Sequence, residues 1–351
     1  MSSPVRVGTA SAEAAAIGAI VASLERTLAR EYPPGTLVRR DAHPKHHGVL
    51  RASFEVPADV HADLRHGVFA VPGRFDAWVR LSNGAPRVRP DTRRDQRGCA
   101  IKLVGVPGEK VLEQERDALT QDFVLASAPR FFIRDLSSYG AFAEAASRPP
   151  QIRVLRYFFG WNPFAWRLHE LTALASTLSR TADLLATRYW SQVPSRLGPL
   201  VVKYAMTPLD PPAWDRPGSS PDFLRERLVS RLSGSAARFA LFVQRFVDES
   251  RTPLEDATVE WREADAPLER VATLTIPPQQ FDSPAQRALA EHLSFTPWHT
   301  LPVHEPVGGV NRARRAAYEA VSAYRHQRNG VPRLEPRTLD LDPALFTPNQ
   351  G

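Results

Sequence analysis

The chain has 351 residues, 43% of them hydrophobic, and a formal charge of +7. That is enough apolar material for one large core or two ordinary ones. The positive charge comes almost wholly from arginine, because lysine occurs only at Lys45, Lys102, Lys110 and Lys203. The arginines are scattered and interleaved with acids, as in Arg93-Arg94-Asp95 and Arg225-Glu226-Arg227, which argues against the clustered basic stripe of a nucleic-acid binder. Cys99 is the single cysteine, so an intramolecular disulfide and a multi-cysteine zinc site are excluded and a reducing, cytoplasmic setting is expected. The apolar run Ala14 to Leu24 is bordered by Glu13 and Glu25. It is too short to span a bilayer, and no transmembrane segment is expected elsewhere.

Taken in chain order, Ser11 is the expected N-cap of a helix that runs to about Arg30 and stops at Pro33-Pro34-Gly35. Strands follow. Leu50, Ala52, Phe54 and Val56 alternate with polar neighbours, as do Phe75, Ala77, Val79 and Leu81 with Asp76, Trp78, Arg80 and Ser82, the pattern of half-buried strands. Further strands are expected at Cys99 to Val106, Phe123 to Ala126, Phe239 to Phe246, Thr258 to Arg262 and Arg270 to Ile276. The count suits a closed antiparallel β-barrel in an α+β fold. From about Gln151 to Trp190 the texture changes to long apolar periodicity, read as inserted helices, and another helix is expected from Pro221 to Leu232. A last helix should start with Asn311 as its cap and end near Gln327 before Asn329-Gly330. No linker divides the chain, so it reads as a single domain spanning 1–351, with an N-terminal helix and arm over 1–35, a core over 36–330 and a tail over 331–351.

On that last helix Arg314, Tyr318 and Arg325 fall within roughly 40° of one another, since each residue advances about 100°. A guanidinium beside a phenol favours the phenolate, a hard anionic ligand suited to ferric iron. Spacing alone leaves a second reading open, an exposed arginine-rich helix whose tyrosine only packs. Three histidines, His43, His46 and His47, lie within five residues; taken alone they read as a polar turn ahead of a metal site.

Longer motifs bear on these choices. Arg314 to Tyr318 matches an Arg-x-x-x-Tyr motif; Arg40-Asp41-Ala42-His43-Pro44-Lys45 matches Arg-x-x-His-x-Lys and is followed by Phe54-Glu55-Val56. Val79-Arg80-Leu81-Ser82 is similar to Val-Arg-Phe-Ser, and Asp91-Thr92-Arg93-Arg94-Asp95-Gln96-Arg97-Gly98 to Asp-Thr-x-Arg-Asp-Pro-Arg-Gly. Pro129-Arg130-Phe131-Phe132-Ile133-Arg134-Asp135 matches Pro-x-Phe-Phe-x-Arg-Asp. In this order the segments resemble the catalase superfamily, and most closely its small catalase-related haem proteins. The resemblance implies haem b between the barrel and the C-terminal helix, with Tyr318 as the iron ligand and Arg314 beside it. It implies His43 as the distal acid–base group, oriented by Ser82, and Arg40, Arg80 and Arg325 as partners of the propionates. Phe132 and Tyr139 would pack near the porphyrin, although either also reads as ordinary core. Asp95 would lie toward the substrate channel, although it also reads as a salt-bridged loop acid.

One position departs from the family. Catalases place a distal asparagine where this chain has Ala126, so one amide donor is missing and efficient disproportionation of hydrogen peroxide is not expected; Ser127 turning inward would compensate in part. The resemblance therefore implies a haem-dependent peroxidase that reduces hydrogen peroxide or organic hydroperoxides and oxidises a second substrate, unidentified, with weak catalase activity. Two alternatives are a fatty-acid hydroperoxide isomerase or lyase and a non-enzymatic haem-binding protein. The expected partners are a peroxide and a reducing or lipid substrate, with room for a homo-oligomer and no nucleic acid. The long arms, extra C-terminal domain and nicotinamide site of full catalases are not expected at this length.

Overall fold

A computed structural model describes residues 7–148, 155–160, 162–333 and 335–340. Its centre is one antiparallel sheet. The strands are β1 (His46–Val56), β2 (Gly73–Asn83), β3 (Arg97–Val104), β4 (Thr120–Ala126), β5 (Tyr189–Trp190), β6 (Ser195–Leu197), β7 (Leu200–Pro208), β8 (Ala237–Arg245) and β9 (Glu269–Ile276). The order β5-β4-β3-β2-β1-β9-β8-β7 is closed by pairing of β5 with β7, which gives an eight-stranded barrel with β6 attached to β7. Closure leaves no long unpaired edge. The two-residue strand β5 makes the seam, Tyr189 facing Met206 and Trp190 facing Ala205.

Period-two alternation separates the two faces of each strand. Leu50, Phe54, Val79, Leu81, Ile101, Phe123 and Leu241 fill the barrel interior. The other face of β2, β3 and β4 forms cross-strand rows fixed by the register: Trp78–Lys102–Asp122, Arg80–Ala100–Val124 and Ser82–Gly98–Ala126. This outer face is not bathed in solvent. From Ala77 onward every residue of β2 is buried, because the sequence supplies helices to cover it.

Those helices are α1 (Val7–Glu31), α2 (Leu136–Ala146), α3 (Leu168–Thr177), α4 (Phe223–Leu232), α5 (Pro284–His292) and α6 (Gly309–Asn329). Leu289 and Ala290 of α5 pack with Leu293 on Val49, Trp78 and Val104 of the barrel's outer face. Ile20 of α1, Ala143 of α2 and Ala313 of α6 share a second small core, so α6 is braced by two other helices.

Several boundaries differ from the sequence reading. Helix α1 begins at Val7, before Ser11, and α6 begins at Gly309 behind Gly308, so neither Ser11 nor Asn311 is a cap. Asn311 lies inside the first turn, and its Nδ2 donates to the carbonyls of Pro194 and Val307, each at 2.8 Å. Gly330 ends α6 in the left-handed conformation expected of a helix stop. The strand expected at Thr258 to Arg262 is irregular chain: Asp256 Oδ1 accepts from Thr258 N–H and competes locally for the backbone. Strand β7 went unread because its central residues are buried on both faces and do not alternate. The helical insert expected over 151–190 contains α3, while residues 151–154 and 161 lie outside the described ones.

Candidate functional site

A cavity lies between the outer face of β2–β4 and helix α6, and with its open mouth it holds about 1290 Å³ of atom-free space. Its barrel wall consists of the Arg80–Ala100–Val124 and Ser82–Gly98–Ala126 rows, and the segment leading into β1 contributes Arg40, Asp41 and His43. Helix α6 contributes Arg314, Ala317, Tyr318, Val321 and Arg325, on the single face that its spacing predicted.

Of the three clustered histidines only His43 lines the cavity. His47 Nε2 is tied to Asn83 Oδ1 at 2.8 Å. Lys45 is buried between Asp91 and Asp222, at 2.7 Å from each, and pins the turn. His43 has φ 59°, a left-handed backbone that a residue with a Cβ adopts at a cost. It is held there from both sides: Arg80 donates to His43 O at 2.9 Å, and His43 N–H donates to Gly84 O at 3.4 Å. Its Nδ1 lies 3.0 Å from Ser82 Oγ. A Cβ on Gly98 would come within 2.5 Å of His43 Nδ1 and 2.7 Å of Ser82 Oγ, so glycine is what lets the imidazole lie against the strand. Burial, then repulsion from Arg80, Arg40 and Arg314, pushes the His43 pKa down to about 3, which keeps the ring neutral at pH 7.

On α6, Arg314 reaches Tyr318 Oη at 3.3 Å and its guanidinium sits 5.5 Å from the centre of that ring. Arg314 is itself steadied by Asn311 Oδ1 at 3.3 Å. Three guanidiniums converge beyond them, those of Arg80 and Arg325 buried and that of Arg40 largely so. Arg40 donates to the carbonyls of Glu291 and Leu293 at 3.0 and 2.5 Å, Arg80 to Ala290 O at 3.2 Å, and Arg325 to Glu291 O and to Ser294 Oγ, the latter at 3.0 Å. They thus meet at the C-terminal end of α5, where carbonyls and the helix dipole favour cations. Glu291 adds a carboxylate 3.7 Å from Arg40. The compensation is incomplete: burial lowers the pKa of all three, and repulsion from neighbouring arginines adds to it for Arg80 and Arg325, the latter falling to about 9. An anionic ligand group at this place would relieve them.

Other expected residues fall differently. Tyr139 lines the cavity, and burial raises its pKa. Phe132 is not among the lining residues; its ring packs on Phe131 and Phe142, and Phe131 faces the cavity instead. Asp95 is also absent from the lining: it is buried, accepts from Ala85 N–H at 3.2 Å, and burial raises its pKa. Asp95 is thus a loop acid bonded to the backbone, not the salt-bridged one expected. Ala126 lines the cavity as expected, but Ser127 does not compensate, because its Oγ accepts from Arg97 N–H at 2.8 Å. Asp41, Gln96, Glu291 and Arg333 were missed by the sequence reading. Only the position of Asp41 and Gln96 inside matched motifs could have drawn notice to them.

A closed eight-stranded antiparallel barrel covered by helices is also the fold of solved catalases. The fold is similar to catalase A from Saccharomyces cerevisiae (TM-score 0.64, 21% identity, 89% of this chain and 65% of that one). It is also similar to a fungal catalase structure (TM-score 0.61, 20% identity, 87% and 66%). In sequence the chain is 26% identical over 290 residues to a catalase of Schizosaccharomyces pombe, covering 75% of this chain and 53% of that protein. It is 24% identical over 337 residues to the peroxisomal catalase of Candida albicans, covering 88% and 65%. No family model matches the chain. These relatives and structural neighbours agree: the chain is similar to catalases in fold and, at low identity, in sequence. It spans between about half and two thirds of the length of the relatives it matches. Among the described residues no helix is long and apolar enough to cross a membrane.

Proposed function

We propose that the protein is a haem-dependent enzyme acting on peroxides, a peroxidase that reduces hydrogen peroxide or organic hydroperoxides while oxidising a second substrate. The observation that carries this reading is one cavity lined by Arg314 and Tyr318 from a helix and by His43 and Ser82 from the barrel. The residues fit haem b. Tyr318 is the phenol available to its iron, Arg40, Arg80 and Arg325 are buried cations short of anions for its propionates, and Phe131 and Tyr139 offer rings to its plane. Bound haem supplies a redox-active iron at which an O–O bond can be broken.

The chain's own groups do the rest. With Nδ1 held 3.0 Å from Ser82 Oγ, His43 presents an unprotonated Nε2 to the cavity, because its lowered pKa keeps the ring neutral. That nitrogen takes the hydroperoxide proton and returns it to the departing oxygen. Val124, Ala126 and Phe131 make part of the wall apolar, which supports organic hydroperoxides as substrates and weak turnover of hydrogen peroxide. Haem titration and peroxidase assays of Tyr318→Phe test the reading. The variant is expected to lose most haem affinity and at least about 100-fold in rate; full haem loading with full activity would sink the proposal.

A further inference from the structure

Two glutamines line the cavity, Gln96 and Gln192. Gln192 is committed, its Nε2 donating to Arg130 O at 2.6 Å. Among the described residues nothing hydrogen-bonds the side-chain amide of Gln96. The ladder fixes where that side chain starts. Ser82 pairs with Gly98 and Asn83 with Arg97, and one step further out Gly84 N–H donates to Gln96 O at 2.7 Å. Gln96 and Gly98 are two apart, so their Cβ directions share a face. It is the face of His43, whose ring lies against Gly98 and whose N–H is bonded to Gly84 O. A Cβ on Gly84 would be 3.2 Å from Gln96 Cβ, so Gln96 departs from the strand beside the turn that holds the imidazole.

We propose that Gln96 is the substrate-positioning amide of the cavity: its Nε2 donates to an oxygen of the bound hydroperoxide and presents it to His43. The inference rests on the peroxide reading above. Ala126, which faces Gly98 from β4, offers only a methyl group, and Ser82 Oγ is turned to His43 Nδ1, 3.0 Å away. Gln96 stands where the resembled motif has proline, which has no side-chain donor. The donor lost at position 126 is thus regained from the other flank of Gly98. No redox change falls on Gln96; it only donates a hydrogen bond.

The test uses the full chain loaded with ferric haem and titrated with fluoride, a small anion that accepts a hydrogen bond in place of the peroxide oxygen. Gln96→Leu keeps the volume and removes the donor; fluoride affinity should fall about tenfold while haem loading is unchanged. Gln96→Glu should show a loss that deepens, relative to the unaltered chain, as pH rises through about 4 to 6 and the carboxylate forms, which a merely structural role would not produce. Unchanged fluoride affinity in both variants, with haem bound, overturns the role of Gln96 and leaves the peroxidase reading standing. Failure of the unaltered chain to hold haem overturns that reading, and this inference with it.

Discussion

Two buried charge clusters stand side by side on the outer face of the barrel, one row apart. In the Trp78–Lys102–Asp122 row, Lys102 is completely buried yet lies 2.8 Å from Asp122 and 2.6 Å from Glu335. Burial alone would lower its pKa, but the two acids outweigh burial and raise it. His299 joins this network with both nitrogens in use, toward Glu115 and Thr120. In the adjacent row Arg80 sits among Arg40 and Arg325, with Glu291 and Asp41 as the acids that act on the group; burial lowers all three guanidiniums, and like charge adds to it for Arg80 and Arg325. The difference teaches how to tell structure from site. A buried cation that has its acids completes the fold by itself, whereas cations held together at a cavity without enough acids are arranged for a ligand.

Three measurements break or sharpen that contrast. The largest effect is expected from Lys102→Met, which leaves Asp122 and Glu335 buried without their cation. Urea unfolding at pH 7 should show a loss of about 3–5 kcal/mol, with haem affinity per folded molecule unchanged; a loss below about 1 kcal/mol would mean that the network does not support itself. Arg325→Met should behave oppositely. Stability of the haem-free chain should change by no more than about 1 kcal/mol, because relief of burial and repulsion offsets the lost bonds to Glu291 and Ser294. Haem affinity should fall 10- to 100-fold, the equivalent of about 1.5–3 kcal/mol. Equal effects of both substitutions on haem affinity would erase the distinction.

The last measurement concerns pH, where several small contributions add. Burial pushes the pKa of His304 down to about 3 and those of His47 and His326 to about 4. Between the unfolded value near 6.5 and these folded values the unfolded chain binds more protons, so stability falls as pH drops through that window. Each histidine should contribute on the order of 1–2 kcal/mol between pH 7 and 5. Asp122, raised by burial to about 6, acts in the opposite sense as pH rises from about 4 to 6 but is a single group. Urea midpoints at pH 7 and 5 should therefore differ, the lower one at pH 5; identical midpoints would contradict the assignment.

Much of the site was legible. Arg314, Tyr318 and Arg325 share a face because a helix repeats every 3.6 residues, and Arg80 and Ser82 share one because a strand repeats every two. Choosing among His43, His46 and His47 was not possible from spacing. The motif resemblance picked out His43, and what holds it in place is Gly98 and Gly84, residues 55 and 41 positions away in sequence. Phe131 and Phe132 are adjacent aromatics whose exchange of roles follows from how the chain enters α2. Glu291 joins the arginines only because α5 ends against β2.

What the sequence by itself determined is direction: which residues of each strand and helix point the same way, and hence that an arginine–tyrosine face and an arginine–serine face exist. Alternation cannot say what stands opposite a face. Read alone, the polar side of β2 looks like the solvent side of a half-buried strand. Only the tertiary structure decided that α5 and α6 cover it, because burial depends on elements brought together from distant parts of the chain, and that covering turns a polar strand face into the wall of a cavity.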